Sequence, residues 1–144
     1  MKPTLYLTNW SSHRTPGCHG RGRKLTIMAA PRKWEKGGGT VVVLTPNVHD
    51  LRAVQDQHIS GAEYRERFER MVGKLNEAGK LAPGELLTFE GFGVGELVLD
   101  GDTLCCACSR AEAAAGRCHR VWAAKALAAA GWNIILDGEP LEHA

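Results

Sequence analysis

The sequence predicts an α/β domain: one compact unit with a mostly parallel sheet flanked by helices. Three stretches carry that prediction. TLYLT at residues 4–8 is a short run of β-branched, aromatic and aliphatic residues, the composition of a buried strand. Residues 61–78 alternate apolar and charged side chains at helical spacing. Residues 103–136 read as strand, loop, helix and strand in series, a unit that crosses right-handed and leaves its two strands parallel. At 144 residues the chain is long enough to bury a core as a single domain spanning residues 1–144.

The elements follow in order. After TLYLT, the segment NWSSHRTPGCHGRGR is rich in Ser, Pro and Gly and is expected to be an exposed, irregular loop. KLTIM at 24–28 reads as a second strand, ended before Pro31. EKGGGT is a turn, and VVVL at 41–44 reads as a third short strand covered on both faces. A weaker helix is expected over Asn47 to Gln57. In the helix at 61–78, Tyr64, Phe68, Met71, Val72 and Leu75 share one face and Arg65, Glu66, Arg67, Glu69 and Arg70 the other. Ser60 and Glu63 have the spacing of a capping box, and Gly79 supplies a stop. LAPGELLTFEGFGVG carries no assignable period. ELVLDGDTLCCAC is read as a loop leading into one strand, in preference to a hairpin at Asp100 and Gly101. TLCCA is then a strand, CHRVWAAKALAAAG a helix ending at Gly131, and WNIIL a strand. Ligands in such folds bind at the C-terminal ends of the strands.

Composition narrows the setting. Five cysteines, an odd number, four of them between 105 and 118, do not form the even and dispersed framework of a secreted disulfide scaffold. A reduced, cytoplasmic protein is the expectation. No apolar run approaches the ~20 residues of a membrane span, and MKPTLYLTNW has no signal-peptide core, so no membrane partner is expected. A net charge of +2 argues against wholesale nucleic-acid binding. The charge is uneven, however: Arg14, Arg21, Arg23, Lys24, Arg32, Lys33 and Lys36, with His13 and His19, face the single acid Glu35 between residues 13 and 36.

Three chemistries compete for TLCCACSRAEAAAGRCHR, against simple packing. Zinc would find soft ligands in Cys106, Cys108, Cys118 and His119, but C-x-C leaves one residue between ligands and adjacent Cys118 and His119 do not easily turn to one ion. No metal or other cofactor is therefore expected. A nucleophile would be Cys118, at the start of a helix where the dipole and Arg117, His119 and Arg120 favour a thiolate, with His119 as general base or acid. Anion binding by His119, Arg120 and the helix N-terminus needs the least special geometry. Packing is the expectation for Cys105 and Cys106, since free cysteines behave as small apolar groups. Trp122 and Trp132 read as core, whereas Trp10 and Trp34 flank irregular segments and could offer a stacking face to a base.

Tyr6, Thr8, Lys33, Trp34, Glu63, Tyr64, Arg67, Cys106, Cys118, His119, Arg120 and Gly131 occur in an order that resembles the phage and bacterial family catalogued as domain of unknown function 488. The C-x-C…CH part is also similar to domain of unknown function 4326. The resemblance covers about three-quarters of the chain by order of motifs. It implies an α/β fold and a site at Cys118, His119 and Arg120, with no settled reaction. The SRAEAAAGR insert and the GCHGRGR loop depart from the pattern.

The functional expectation is a protein that binds a small phosphate-bearing ligand of the nucleotide type, sequestering or degrading a nucleotide signal. Arg120 and His119 would hold the anion, Arg14, Arg21 or Arg23 would close over it, and Trp10 or Trp34 would stack on the base. The alternatives are a cysteine-dependent hydrolase or transferase, a zinc protein, and, as the lesser expectation, a nucleic-acid binder using residues 14–36. The pattern is compatible with a monomer or a homo-oligomer.

Overall fold

The computed structural model describes residues 1–29, 38–89 and 95–141. Strands β1 (Thr4–Asn9), β2 (Lys24–Thr26), β3 (Thr103–Cys106), β4 (Asn133–Leu136) and β5 (Glu139–Pro140) form one sheet in the order β2-β3-β1-β4-β5. β1 runs parallel to β3 and β4, and β2 parallel to β3, while β5 is antiparallel to β4. The predicted α/β class with a mostly parallel sheet is therefore observed. The segment from 103 to 136 forms the predicted strand, helix and parallel strand, with β1 lying between β3 and β4.

Side chains alternate across the sheet as its pleat requires. Leu5, Leu7, Leu25, Leu104, Cys106 and Ile134 point into the main core. Tyr6, Thr8, Thr26, Thr103 and Cys105 fall on the opposite face by the same alternation. That second face is covered in part by the loop after β1: the Gly20 amide donates to Thr103 Oγ1 at 3.0 Å, and Gly20 lies so close to Tyr6 and the Gly101 carbonyl that any Cβ there would collide.

The core face is closed by helices. α1 (Val48–Gln55) is capped by Asn47, whose side chain accepts from the amides of His49 and Asp50. α2 (Gly61–Glu77) starts at Ser60, whose hydroxyl accepts from the Glu63 amide as the capping spacing predicted. The Glu63 carboxylate turns outward to Arg67 at 3.1 Å. α2 buries Tyr64, Phe68 and Val72 against α4 (His119–Ala129), with edge-on ring contacts from Tyr64 to Trp122 and from Phe68 to His119. No helix among the described residues is long and apolar enough to cross a membrane.

One local reading changes and two elements are added. VVVL forms a 3₁₀ turn at Val42–Leu44 in place of a strand. Thr40 makes the bridge to Thr26 at the edge of β2, and the turn then lets Val41 and Leu44, three residues apart, both reach the core. A short helix α3 (Arg110–Ala114), capped by Ser109, occupies the insert before CHR. Asp137 and Gly138, both with positive φ, turn the chain from β4 into β5. The first half of the EKGGGT turn, residues 35–37, lies outside the described residues.

Candidate functional site

The C-terminal ends of β1, β3 and β4 meet the N-terminus of α4. Cys106 ends β3 on the core face, Cys118 is the N-cap of α4, and Cys108 sits on the loop between them. Their three sulfurs lie within 4.8 Å of one another, and Cys106 Sγ is 3.3 Å from Cys118 Sγ. Cys106 and Cys118 have no exposed surface, whereas Cys108 is half-buried. Cys105, next in sequence, points to the other face of the sheet and takes no part.

Arg120 organises this cluster. Its side chain is wholly buried, and one terminal nitrogen donates to Cys106 Sγ at 3.0 Å and to the Cys108 carbonyl at 2.8 Å, with Cys118 Sγ at 3.5 Å. The other donates to Asp137 Oδ2 at 2.9 Å and the Ser109 carbonyl at 3.4 Å. Asp137 Oδ1 in turn accepts from the Thr8 hydroxyl at 3.0 Å. Arg120 Nε, also buried, has no hydrogen-bond partner among the described residues.

The electrostatics single out one sulfur. Thiol donors from Cys108 and Cys118, together with the Arg120 charge, hold the Cys106 thiol well below its ordinary pKa despite burial. The same bonds work in reverse on their donors. Cys118 is pushed far up by donating to Cys106 and Cys108 and by burial, and Cys108 is pushed up to about 12 chiefly by its bond to Cys106. Within the cluster, Cys106 is thus the sulfur most disposed to give up its proton, with Cys108 and Cys118 as its donors. Burial draws the Arg120 pKa down, but Cys106 and Asp137 more than offset it and raise it above its ordinary value, so Arg120 stays charged. Burial keeps His119 below its ordinary pKa, and its Nε2 donates to the Ile27 carbonyl at 2.7 Å.

Beside the cluster opens a cleft of about 910 Å³ between α1, the start of α2 and the loop leading into α4. Its interior is apolar and aromatic, with Leu51, Val54, Tyr64 and Trp122, and Arg52, Arg65 and Arg117 also line it. The Arg65 guanidinium lies 5.8 Å from the centre of the Trp122 ring. Cys108 and His119 border the cleft, so it touches the sulfur cluster at one point.

The residues singled out in the sequence divide accordingly. Cys118, His119 and Arg120 come together at the C-terminal ends of the strands. Their roles differ from those expected: Cys118 is an inaccessible thiol donor, and Arg120 spends both terminal nitrogens inside the protein. Trp10 is 8% exposed and packs edge-on against His13, which leaves no open stacking face. Arg14 is exposed on the turns after β1. Arg21 and Arg23 lie at the N-terminal ends of β2 and β3, the far edge of the sheet, where Arg23 is engaged with Glu96 and Asp102. Trp34 lies outside the described residues. Sequence reasoning named Arg117 but missed Asp137 and the other two arginines of the cleft, Arg52 and Arg65. The Asp-Gly turn signal was available for Asp137, whereas Arg52 and Arg65 sit on helix faces that sequence alone reads as solvated. Comparison with family models, with curated proteins and with solved structures gives no match.

Proposed function

We propose that the protein binds a small phosphate-bearing molecule with an aromatic ring, of the nucleotide class, in the cleft beside Cys108. The observation that carries this reading is the lining of the cleft. A volume of about 910 Å³ suits a nucleotide-sized ligand, and apolar pockets with a few placed charges are the usual form of such sites. Leu51 and Val54 supply apolar surface, and Tyr64 and Trp122, 8% and 4% exposed, add a little ring area. Arg52, Arg65 and Arg117 stand against the single acid of the lining, Glu112, with Arg65 also paired to Glu69 at 2.7 Å. Arg117 and Gly116 lie just before the N-cap of α4, so the unpaired amides of that helix add partial positive charge on the same side.

The reading moves the anion contacts from Arg120, Arg21 and Arg23 to the cleft arginines. Covalent catalysis by Cys118 is not favoured, because a nucleophile must be reached and Cys118 has no exposed surface. Native mass spectrometry of the purified protein, together with tryptophan-fluorescence titration against nucleoside mono- and diphosphates, tests the proposal. Expected are a bound or titratable nucleotide and an Arg117→Ala variant that weakens it by roughly 10- to 100-fold, the loss of one charge-assisted hydrogen bond. No co-purified mass and no saturable quenching by any nucleotide would overturn it.

A further inference from the structure

We infer that Cys106, Cys108 and Cys118 form a three-thiolate site for a zinc ion, with its fourth position open toward the cleft. Sulfurs bound tetrahedrally to zinc at about 2.3 Å lie roughly 3.8 Å from one another. Here Cys106 and Cys118 are 3.3 Å apart and all three sulfurs lie within 4.8 Å of one another, a span that contains that value. The C-x-C spacing that counts against zinc in the sequence is overcome by the fold. Cys106 reaches from the end of a strand, Cys108 from the loop beyond it and Cys118 from the start of a helix, so the three approach from different directions.

The neighbours are selective. Cys105 is excluded by the strand's alternation, and His119 is excluded because neither of its ring nitrogens lies within 4.8 Å of all three sulfurs. No fourth His, Cys, Asp or Glu joins the cluster among the described residues. Three protein ligands and an open position are the pattern of zinc sites that engage a water or a substrate atom. Cys108 is the ligand that borders the cleft, which places the open position on that side.

Charge and second neighbours agree with this assignment. Three thiolates and one zinc ion leave a net charge of −1, and the buried Arg120 guanidinium stands 3.0 Å and 3.5 Å from two of the sulfurs to balance it. N–H donors of this kind orient ligand sulfurs and tune their donor strength. Asp137 fixes Arg120 at 2.9 Å, so the support is itself anchored. The site stands independently of the nucleotide reading, since it needs only the three sulfurs and Arg120.

The test uses the full chain, reduced and stripped with a chelator, and zinc alone as the probe. Competition against a chromophoric chelator is expected to show one tightly bound ion per chain. Cobalt in its place is expected to give the sulfur charge-transfer and tetrahedral ligand-field bands. Cys108→Ser, the partly exposed ligand whose replacement leaves the core intact, is expected to lower zinc affinity by at least about 100-fold, and Arg120→Lys by roughly 10- to 100-fold. Cys105→Ser is expected to leave affinity unchanged. Substoichiometric zinc in the reduced wild type, or equal loss in Cys105→Ser and Cys108→Ser, would overturn the assignment. So would a Cys106–Cys118 disulfide in peptide mapping that persists after reduction of the native protein. Nucleotide binding by a reduced protein that takes up no zinc would leave the cleft reading standing and end this one.

Discussion

Both ends of the parallel sheet carry an ion pair with one buried and one part-exposed partner, and the two are built differently. At the N-terminal edge, Asp102 is 2% exposed and accepts from the amides of Arg23 and Leu99 and from the Arg23 guanidinium, which also reaches Glu96 and the Leu97 carbonyl. All of these bonds run from nitrogen to oxygen, and the Asp102 carboxylate accepts three of them. At the C-terminal edge, Arg120 is directed at sulfur, keeps an unpartnered Nε, and adjoins a cleft. A network of the first kind holds loops in place. An unfinished one leaves capacity for something further, which is why the second edge and not the first is read as the site.

The largest effect expected is at Arg120. Arg120→Ala empties a wholly buried side-chain site and removes the partner of the part-buried Asp137 and of Cys106 Sγ, and unfolding in urea is expected to show a loss of about 3–5 kcal/mol. Asp102→Ala breaks the opposite edge. It leaves the amides of Arg23 and Leu99 without an acceptor, but Arg23 keeps solvent access and Glu96, so the loss is expected to be about 1–3 kcal/mol, with nucleotide and zinc titrations unchanged. Any change in binding for Asp102→Ala would dissolve the distinction between the edges. Cys105→Ala removes a sulfur from the face turned away from the cluster and is expected to cost about 1 kcal/mol by the same unfolding measurement. Cys108→Ser sharpens the comparison most, because it is expected to stay within about 0.5 kcal/mol of wild type while removing one ligand. Alkylation of the native metal-free protein, followed by peptide mass analysis, is expected to mark Cys108 ahead of Cys105, Cys106 and Cys118, which have no exposed surface.

The sheet was legible in the sequence wherever an element declared itself over several residues. TLYLT, the face of Tyr64, Phe68 and Val72, and the Ser60 cap each combined a period with a boundary. VVVL misled because β-branched composition reports a preference for extended backbone, whereas the available partner strand was already met by Thr40. α3 carried the same signature as α2, a serine followed three residues later by glutamate, in a segment treated as an insert. For the site, the sequence located CHR but could not say where each side chain points. Whether Arg120 faces a ligand or a neighbouring sulfur depends on the angle at which α4 meets β3, a tertiary fact with no local signal. The positive segment at 13–36 illustrates the converse: proximity in sequence to the first strand's C-terminal end did not keep Arg21 and Arg23 there, because the loop carries them to the other edge.

The position of β1 bears on how the chain reaches this structure. Its strand sits in the middle of the sheet, yet Tyr6 is registered against Thr103 on one side and Ile135 on the other. The segment that forms the centre must remain unpaired until most of the chain has joined it. Closing such distant pairs is entropically demanding, and sheets of this type fold slowly for that reason. During synthesis, TLYLT leaves the ribosome well before either neighbour exists, as an exposed apolar strand with two free edges. A chain cut before residue 133 would retain β3 but lack the second rail of β1. Such a fragment exposes an edge prone to pairing with other molecules.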